Sequence, residues 1–574
     1  MKLNKIFLSA LAALSLASCS DQMDYKEYSI YDAQYMKTKF ERAGGFLSTI
    51  YADLDSDFGN YSGAMLSSAT DESVYSHDGN AIESFYNGAW SPTNANSSLW
   101  TTCYHGINYC NLFLDEFTGL KFEDYILDKN YEAEMYQYNN YQWEARWARA
   151  YFYFLLLRQY GGVPLLTTNM SADEANAQPR ATAEEIFQFI DSECAAIQDS
   201  ITKDYGDLGN LAMSPANNGR ANNLTVMALR ARAALYHASP LFNPNNDKEL
   251  WRKAAELNKA VLDSCSARKM KLSTDYKGLF IGNTSWSDAN ALGEIIFARR
   301  MPTENRNFET YNFPVGMTGA GAGGGGGNCP SQNLVDAYEM TNGKLISDPE
   351  SGYDPQNPYA NRDKRLALTV ACNGDSWPNA NTIPLETFVG GMNGLPTAFA
   401  TPTGYYLKKY VTESVQTAGN GANTCKHVWV TFRLAEFYLN YAEAMLNLTD
   451  DGYTAAQGFI MTPAAALNVV RKRAGQPNIE EGLDAATFMS RLKNERFVEL
   501  AFEGHRFFDV RRWKEAPKYF TTIRGMEINK VGEGFTYTPK VIQNRQWDDK
   551  MYLFPIPQSE ILKSGAPLTQ NPGW

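Results

Sequence analysis

Glu495-Arg-Phe-Val-Glu-Leu-Ala-Phe-Glu-Gly-His-Arg-Phe-Phe-Asp-Val-Arg-Arg-Trp513 concentrates charge and aromatic character more than any other part of this 574-residue chain. Its spacing predicts a helix from Ala485 to Glu503, with Phe497, Leu500, Ala501, Gly504 and Phe508 on one face. Glu495, Glu499, Glu503 and Arg506 take the other face, and carboxylates at i, i+4 are neighbours on a helix surface. Two readings compete: a catalytic acid pair or a structural ion network. Glycosidases hold two carboxyls about 5–9.5 Å apart across a cleft. Glu499 and Glu503 could span that distance, but from one helix they project the same way. Arg496, Arg506, Arg511 and Arg512 stand close by and would keep carboxylates ionised rather than raise a pKa for acid work. The stretch is therefore read as a buried clasp of charge and aromatic rings, holding the C-terminal segment to a helical scaffold.

Working outward, helical patterns dominate the first half. Gln34 to Leu54, Ser97 to Phe117, Tyr141 to Tyr160, Asn222 to Ala238 and Leu250 to Ser264 all carry apolar residues at helical spacing. Gly161-Gly162-Val-Pro164 stops the third of these. Thr182-Ala-Glu-Glu185 is a capping box that opens another helix. Alanine-rich contact faces suggest helix pairs stacked as in repeat arrays, although no strict period recurs. From 265 to 425 the composition turns to Gly, Pro, Asn and Thr, with short elements. Gly319-Ala-Gly-Ala-Gly-Gly-Gly-Gly-Gly327 lacks the Gly-Lys-Ser/Thr exit of a phosphate loop and reads as a flexible linker or loop tip. Helices return at Arg433–Leu448 and Pro463–Arg473, with Ser331 as cap of a short helix through Met340. The segment Met551 to Pro557 has strand and turn character.

The N-terminus reads as an export signal. Lys2 and Lys5 precede an apolar run, Ile6 to Ala17, too short to span a bilayer. Leu16-Ala17-Ser18-Cys19 has the form of a bacterial lipobox, which makes Cys19 the lipidated residue and anchors the chain by acyl groups. The net charge of −12 argues against nucleic acid as a partner. The other seven cysteines have long spacings and give no disulfide framework. The five histidines show no His-x-x-x-His pair, so no metal site is expected from spacing, and no cofactor motif is present.

Six segments stand out in order: Ala148–Pro164, Leu334-Val-Asp-Ala-Tyr-Glu-Met340, Asn361-Arg-Asp-Lys-Arg-Leu366, Arg433–Ala444, the 495–513 stretch, and Tyr552-Leu-Phe-Pro-Ile-Pro-Gln-Ser-Glu560 with the Asn571-Pro-Gly573 tail. Together they resemble the SusD/RagB family of Bacteroidetes surface lipoproteins. The resemblance implies a mainly α, SusD-like fold. Tetratricopeptide-type helix pairs form its scaffold, and an irregular, loop-rich ligand-binding part packs on it. The implied organisation is a signal peptide at 1–18, a lipid-anchored tether at 19–33, a helical-repeat part at 34–264 and a C-terminal part at 265–574, the last two forming one compact unit. It also implies a non-catalytic protein that sits lipid-anchored on the outer face of the outer membrane. Such a protein captures an oligo- or polysaccharide and delivers it to a SusC-like TonB-dependent transporter. Peptide capture of the RagB kind, a glycoside hydrolase and a bare helical scaffold are the alternatives.

Sugars stack their C–H faces on rings while Asn, Asp and Arg bind hydroxyls. The expected glycan contacts are therefore Asp71, Tyr75, Trp90, Asn94, Trp286, Arg306 and Trp377, with Glu72 and His77 in the same loops. These fall in loops 71–96, 282–310 and 373–396. The resemblance leaves bound calcium open, while no acidic loop here has the spacing of a calcium site.

Overall fold

The computed structural model describes residues 33–203, 219–285, 293–301, 303–317, 324–377, 384–564 and 567–574. The lipobox with Cys19, the tether up to residue 32, and Trp286 lie outside the described residues. Helices of six or more residues are numbered here in chain order.

The N-terminal half is a stack of helices: α1 Phe40–Ala52, α2 Ser98–Glu116, α3 Tyr131–Tyr160, α4 Ala183–Ile197, α5 Asn223–Ala238 and α6 Lys248–Ala267. Each of α2 to α6 packs on the next, and α1 lies against α2 and α3. Local chemistry sets several starts. Thr182 and Glu185 close the capping box reciprocally, Asn222 accepts from the Thr225 N–H, and Asp247 accepts from the Glu249 N–H. Helix α3 begins ten residues earlier than its apolar pattern, because Tyr131 to Asn140 is a polar, half-exposed run. From Trp147 to Leu157 every residue of α3 is buried, so no amphipathic stripe survives there.

The order then crosses over. Short helices α7 Asn307–Asn312, α8 Gln332–Ala337 and α9 Lys364–Thr369 intervene before α10 Leu434–Thr449, α11 Pro463–Ala474, α12 Ala485–Glu499, α13 Arg506–Arg512 and α14 Gln558–Ser564. Helix α10 packs on α6 and extends the stack; α11 and α12 pack on α10. One apolar core accordingly runs from Phe40 to Leu568, drawing on both halves of the sequence. A second core, from Met65 through Tyr405 to Ile528, lies beneath the irregular part.

Strands come in antiparallel pairs: β1 Ser73–Tyr75 with β3 Asn328–Pro330, β2 Ile295–Arg300 with β6 Val428–Arg433, β4 Val370–Ala371 with β5 Tyr406–Leu407, and β7 Thr522–Val531 with β8 Gly534–Asn544. The β7–β8 hairpin, ten and eleven residues long, turns at Gly532-Glu533. Gly532 has φ +60°, as the first central position of a II′-type hairpin turn requires.

The 495–513 stretch is not one helix. Helix α12 ends at Glu499, Phe502 and Gly504 take positive φ, and α13 restarts at Arg506. The break lets the charged side chains point in several directions, and they enter a buried network. Arg433 reaches Glu499 (2.7 Å), Glu503 (2.7 Å) and Glu294 (2.8 Å); Arg365 reaches Glu495 (2.6 Å), Glu499 and Asp363 (2.7 Å each). Arg473 pairs with Glu499 and Glu294, Arg471 with Glu495 and Glu339, and Lys409 with Glu503. Beyond the break, Arg506 pairs with Asp71, Arg496 with Asp509, and Arg512 with Glu443 and Asp509. Burial alone would raise the Glu499 carboxyl, but Arg473, Arg433 and Arg365 hold it well below the usual carboxylate range. Glu499 thus has no proton to give near neutrality, and the stretch is a clasp rather than an acid pair.

Candidate functional site

Among the described residues, the rings most exposed to solvent in the irregular part are Phe399 (55 %) and Tyr311 (51 %). Both belong to an aromatic patch built from three separate segments. Strand β1 supplies Tyr75, and His77 follows in the bend just past its end, its ring stacked beside that of Tyr75. The His77 ring lies parallel to Phe399 at 4.1 Å between centroids and against Tyr75 at 5.2 Å. Tyr311, at the end of α7, stands near the Tyr75 hydroxyl across Gly63. Burial first, then the Tyr311 and Cys329 side chains, pushes the Tyr75 phenol up to about 12, so it remains a neutral hydrogen-bonding group.

Phe399 carries φ +61°. A bulky residue in the left-handed region costs on the order of 1–3 kcal/mol and persists only where the surroundings enforce it. Burial does not offset the cost here, since the ring is half in solvent. What the strained backbone achieves is display of the ring over His77.

The end of the glycine run is the floor of this patch, not a loose linker. Its described part, Gly324 to Gly327, threads between the other segments. The Gly325 carbonyl accepts from His77 Nε2–H (2.7 Å), and the Gly327 carbonyl accepts from the Ser76 N–H (2.9 Å). A Cβ on Gly326 would overlap the Phe399 carbonyl oxygen and Ser76 Oγ, and one on Gly327 would overlap Asn312 Oδ1. Close backbone approach is the reason for glycine at these positions.

Four of the residues expected from sequence are placed elsewhere or turned inward. Asp71 is buried in a two-pronged pair with Arg506 (2.7 and 2.8 Å), so its carboxylate is already satisfied. Trp90 is 3 % exposed, its ring edge-on to Phe85, Phe554 and Trp574 and its indole N–H donating to the Ala95 carbonyl; it belongs to the core. Trp377 is likewise buried, edge-on to Phe313 at 5.2 Å. Tyr75 is at the patch but mostly covered. A ring with both faces packed has none left for a sugar. Asn94 is exposed on the Ser91–Asn94 turn, where its side-chain amide donates to the Ala89 carbonyl. Arg306 is half-buried at the N-cap of α7, the helix that carries Tyr311. Tyr311 and Phe399 were missed by sequence reasoning. Phe399 sits in Thr397-Ala-Phe-Ala400, a lone large ring among small residues, and that was the available signal.

The molecule thus presents two exposed rings on irregular segments packed against a large helical scaffold. The chain belongs to the SusD family. The family model described as SusD family matches residues 293–574, and one described as starch-binding associating with outer membrane matches residues 24–209. A SusD-like protein, P2, from Formosa agariphila is 23 % identical over 447 residues, covering 75 % of this chain and 73 % of its own. A SusD-like protein from Bacteroides fragilis superposes with TM-score 0.74 at 23 % identity, covering 94 % of this chain and 98 % of the other. A SusD-like carbohydrate binding protein from the same species superposes with TM-score 0.71 at 24 % identity, covering 92 % and 99 %.

Proposed function

We propose that this protein is a non-catalytic, cell-surface glycan-binding lipoprotein, anchored to the outer membrane through Cys19, that captures oligo- or polysaccharide and delivers it to a SusC-like TonB-dependent transporter. The observation that carries the reading is Phe399, strained in its backbone, half exposed, and stacked on His77. Phe399 and Tyr311 are the stacking rings, with the Tyr75 hydroxyl and Arg306, at the start of the helix that carries Tyr311, as nearby polar groups; Asn94, exposed on its own turn, is a separate candidate. The carbohydrate-binding description of the Bacteroides fragilis neighbour and the starch-binding description of the N-terminal family match support a sugar ligand. A shallow rim of rings buries little area, so affinity for a single site is modest and the transporter adds avidity.

The test is gel-retardation electrophoresis against a glycan panel, followed by titration calorimetry on the glycan that retards. Phe399→Ala is expected to weaken binding by roughly tenfold, about 1.4 kcal/mol, with the thermal midpoint kept. Retardation by no glycan, or binding untouched by both Phe399→Ala and Tyr311→Ala, refutes the reading.

A further inference from the structure

Three residues far apart in sequence bring different metal-ligand atoms together beneath the surface. Glu309 lies on α7. Cys425 and His427 lie on the segment that leads into β6. One ligand atom from each falls within 4.8 Å of the others, and all three residues are buried. His427 Nε2 is 2.9 Å from one Glu309 carboxylate oxygen and 3.2 Å from the other, and Cys425 Sγ is 3.5 Å from the same nitrogen. A four-coordinate ion with bonds of about 2.0–2.3 Å spaces its ligand atoms roughly 3.3–3.7 Å apart. The sulfur–nitrogen separation already meets that spacing. The oxygen–nitrogen separation needs to open by less than ~0.5 Å.

The frame around these atoms is built. Asn305 and Cys425 exchange backbone hydrogen bonds (3.0 and 3.1 Å), and the His427 carbonyl accepts from the Met301 N–H (3.0 Å), continuing the β2–β6 ladder. The Thr412 N–H donates to Glu309 Oε1 (3.1 Å), which orients the carboxylate. Phe58 and Phe308 meet the imidazole edge-on at 5.5 and 6.3 Å and fix its plane. Residues 421, 423 and 424, just before Cys425, are exposed, so the cluster is one short segment away from solvent.

We propose that Glu309, Cys425 and His427 form a binding site for a thiophilic divalent cation of the Zn²⁺ class, which staples α7 to the entrance of β6. Thiol, imidazole and carboxylate together suit zinc, whereas a thiol is a poor ligand for calcium or magnesium. On binding, the Cys425 thiol loses its proton to solvent and the imidazole adopts its Nδ1–H tautomer, leaving Nε2 as the donor. The ion's two positive charges are then balanced by thiolate and carboxylate, as a buried site demands. A fourth position is open to water. Spacing of the histidines alone could not point here, because Glu309 comes from a distant segment and Cys425-x-His427 is too short a motif to stand out.

The experiment uses the full mature chain, stripped with chelator and titrated with Zn²⁺ alone and, separately, with Co²⁺. Expected are one saturable site, release of about one thiol proton per ion, a thiolate-to-cobalt charge-transfer band in the near ultraviolet, and a raised thermal midpoint with zinc. Cys425→Ser is expected to remove the band and weaken affinity at least ~10-fold. Glu309→Gln, checked for folding by circular dichroism, is expected to weaken affinity while keeping the band. Absence of saturable binding by the wild type overturns the proposal. So does a stoichiometry and band that neither substitution alters, which would put the metal elsewhere.

Discussion

At the residue scale, two buried carboxyls stand apart from the paired ones. Burial pushes Glu72 up to about 8 and Asp57 up to about 7; the Phe502 N–H on Glu72 and the Leu66 N–H on Asp57 offset part of the effect. A carboxyl raised in the folded state contributes stability that is intact below its unfolded pKa of about 4.5 and lost as pH climbs through the folded value. Glu72→Gln, which keeps an acceptor for Phe502, is therefore expected to match the wild type near pH 4. By pH 9 it should exceed the wild type by ~1.4 kcal/mol for each unit of the raised pKa. Urea unfolding at the two pH values checks this, and a constant difference between the proteins would exclude Glu72 as the source. Glu499 behaves in the opposite sense: its carboxyl is held low, so the stability it supplies is present above about pH 4.5 and fades as pH falls. Neither residue's behaviour was legible in the sequence, since Asp71-Glu72 reads as one more acidic loop pair until Arg506 is seen to take only the first.

At the element scale, most helix starts were legible because their caps are local. Thr182, Asn222, Ser331 and Thr462 each accept from a backbone N–H three residues on. The break after Glu499 was not legible: Leu500-Ala-Phe-Glu continues the helical pattern without proline, and only tertiary contacts, such as Phe502 N–H to Glu72, reveal the turn. The glycine run misled for a related reason. Its composition says flexibility, while its packed end says that three backbones meet there. Gly326→Ala tests the difference. The added methyl has no room and the residue has φ +80°. The expected cost is ~1–3 kcal/mol in stability, with weakened glycan binding as the His77–Phe399 stack shifts. A variant with unchanged midpoint and affinity would return the run to the status of a loose tip. The patch itself was half visible: Tyr75 and His77 fell in an expected loop, but their partners come from α7 and from the segment after Pro396.

At the scale of the whole molecule, the charge network joins elements that the sequence separates. Arg433 at the end of β6 meets Glu294 before β2 and Glu499 and Glu503 beside α12, while Arg365 of α9 meets Glu495 and Glu499. A buried ion network is weak evidence of net stabilisation, but removing one member leaves its partners uncompensated. Glu503→Gln, which takes from Lys409 its carboxylate partner and from Arg433 one of three, is expected to cost roughly 3–5 kcal/mol. Denaturant unfolding should show a lower midpoint shared by circular dichroism and tryptophan fluorescence, with ligand affinity retained where the protein stays folded. A variant of native stability that had lost only affinity would move the ligand site to the clasp. This stretch is one of the six segments that carry the family resemblance, and Glu495, Glu499 and Arg506 in it close contacts between the helix stack and the irregular part.

Strand β1 of the patch pairs with β3, and the turn that leads into it is held in large part by residues from the far end of the chain. Arg506 holds Asp71, the Phe502 N–H reaches Glu72, and the Arg545 guanidinium donates to the carbonyls of Ser68 and Thr70. A polypeptide that lacked this segment would keep the β1–β3 pairing and the His77–Gly325 bond, yet lose the Arg506, Phe502 and Arg545 contacts that seat the turn before β1. Loss of the C-terminal residues would therefore loosen the Tyr75–His77–Phe399 patch without removing any residue from it.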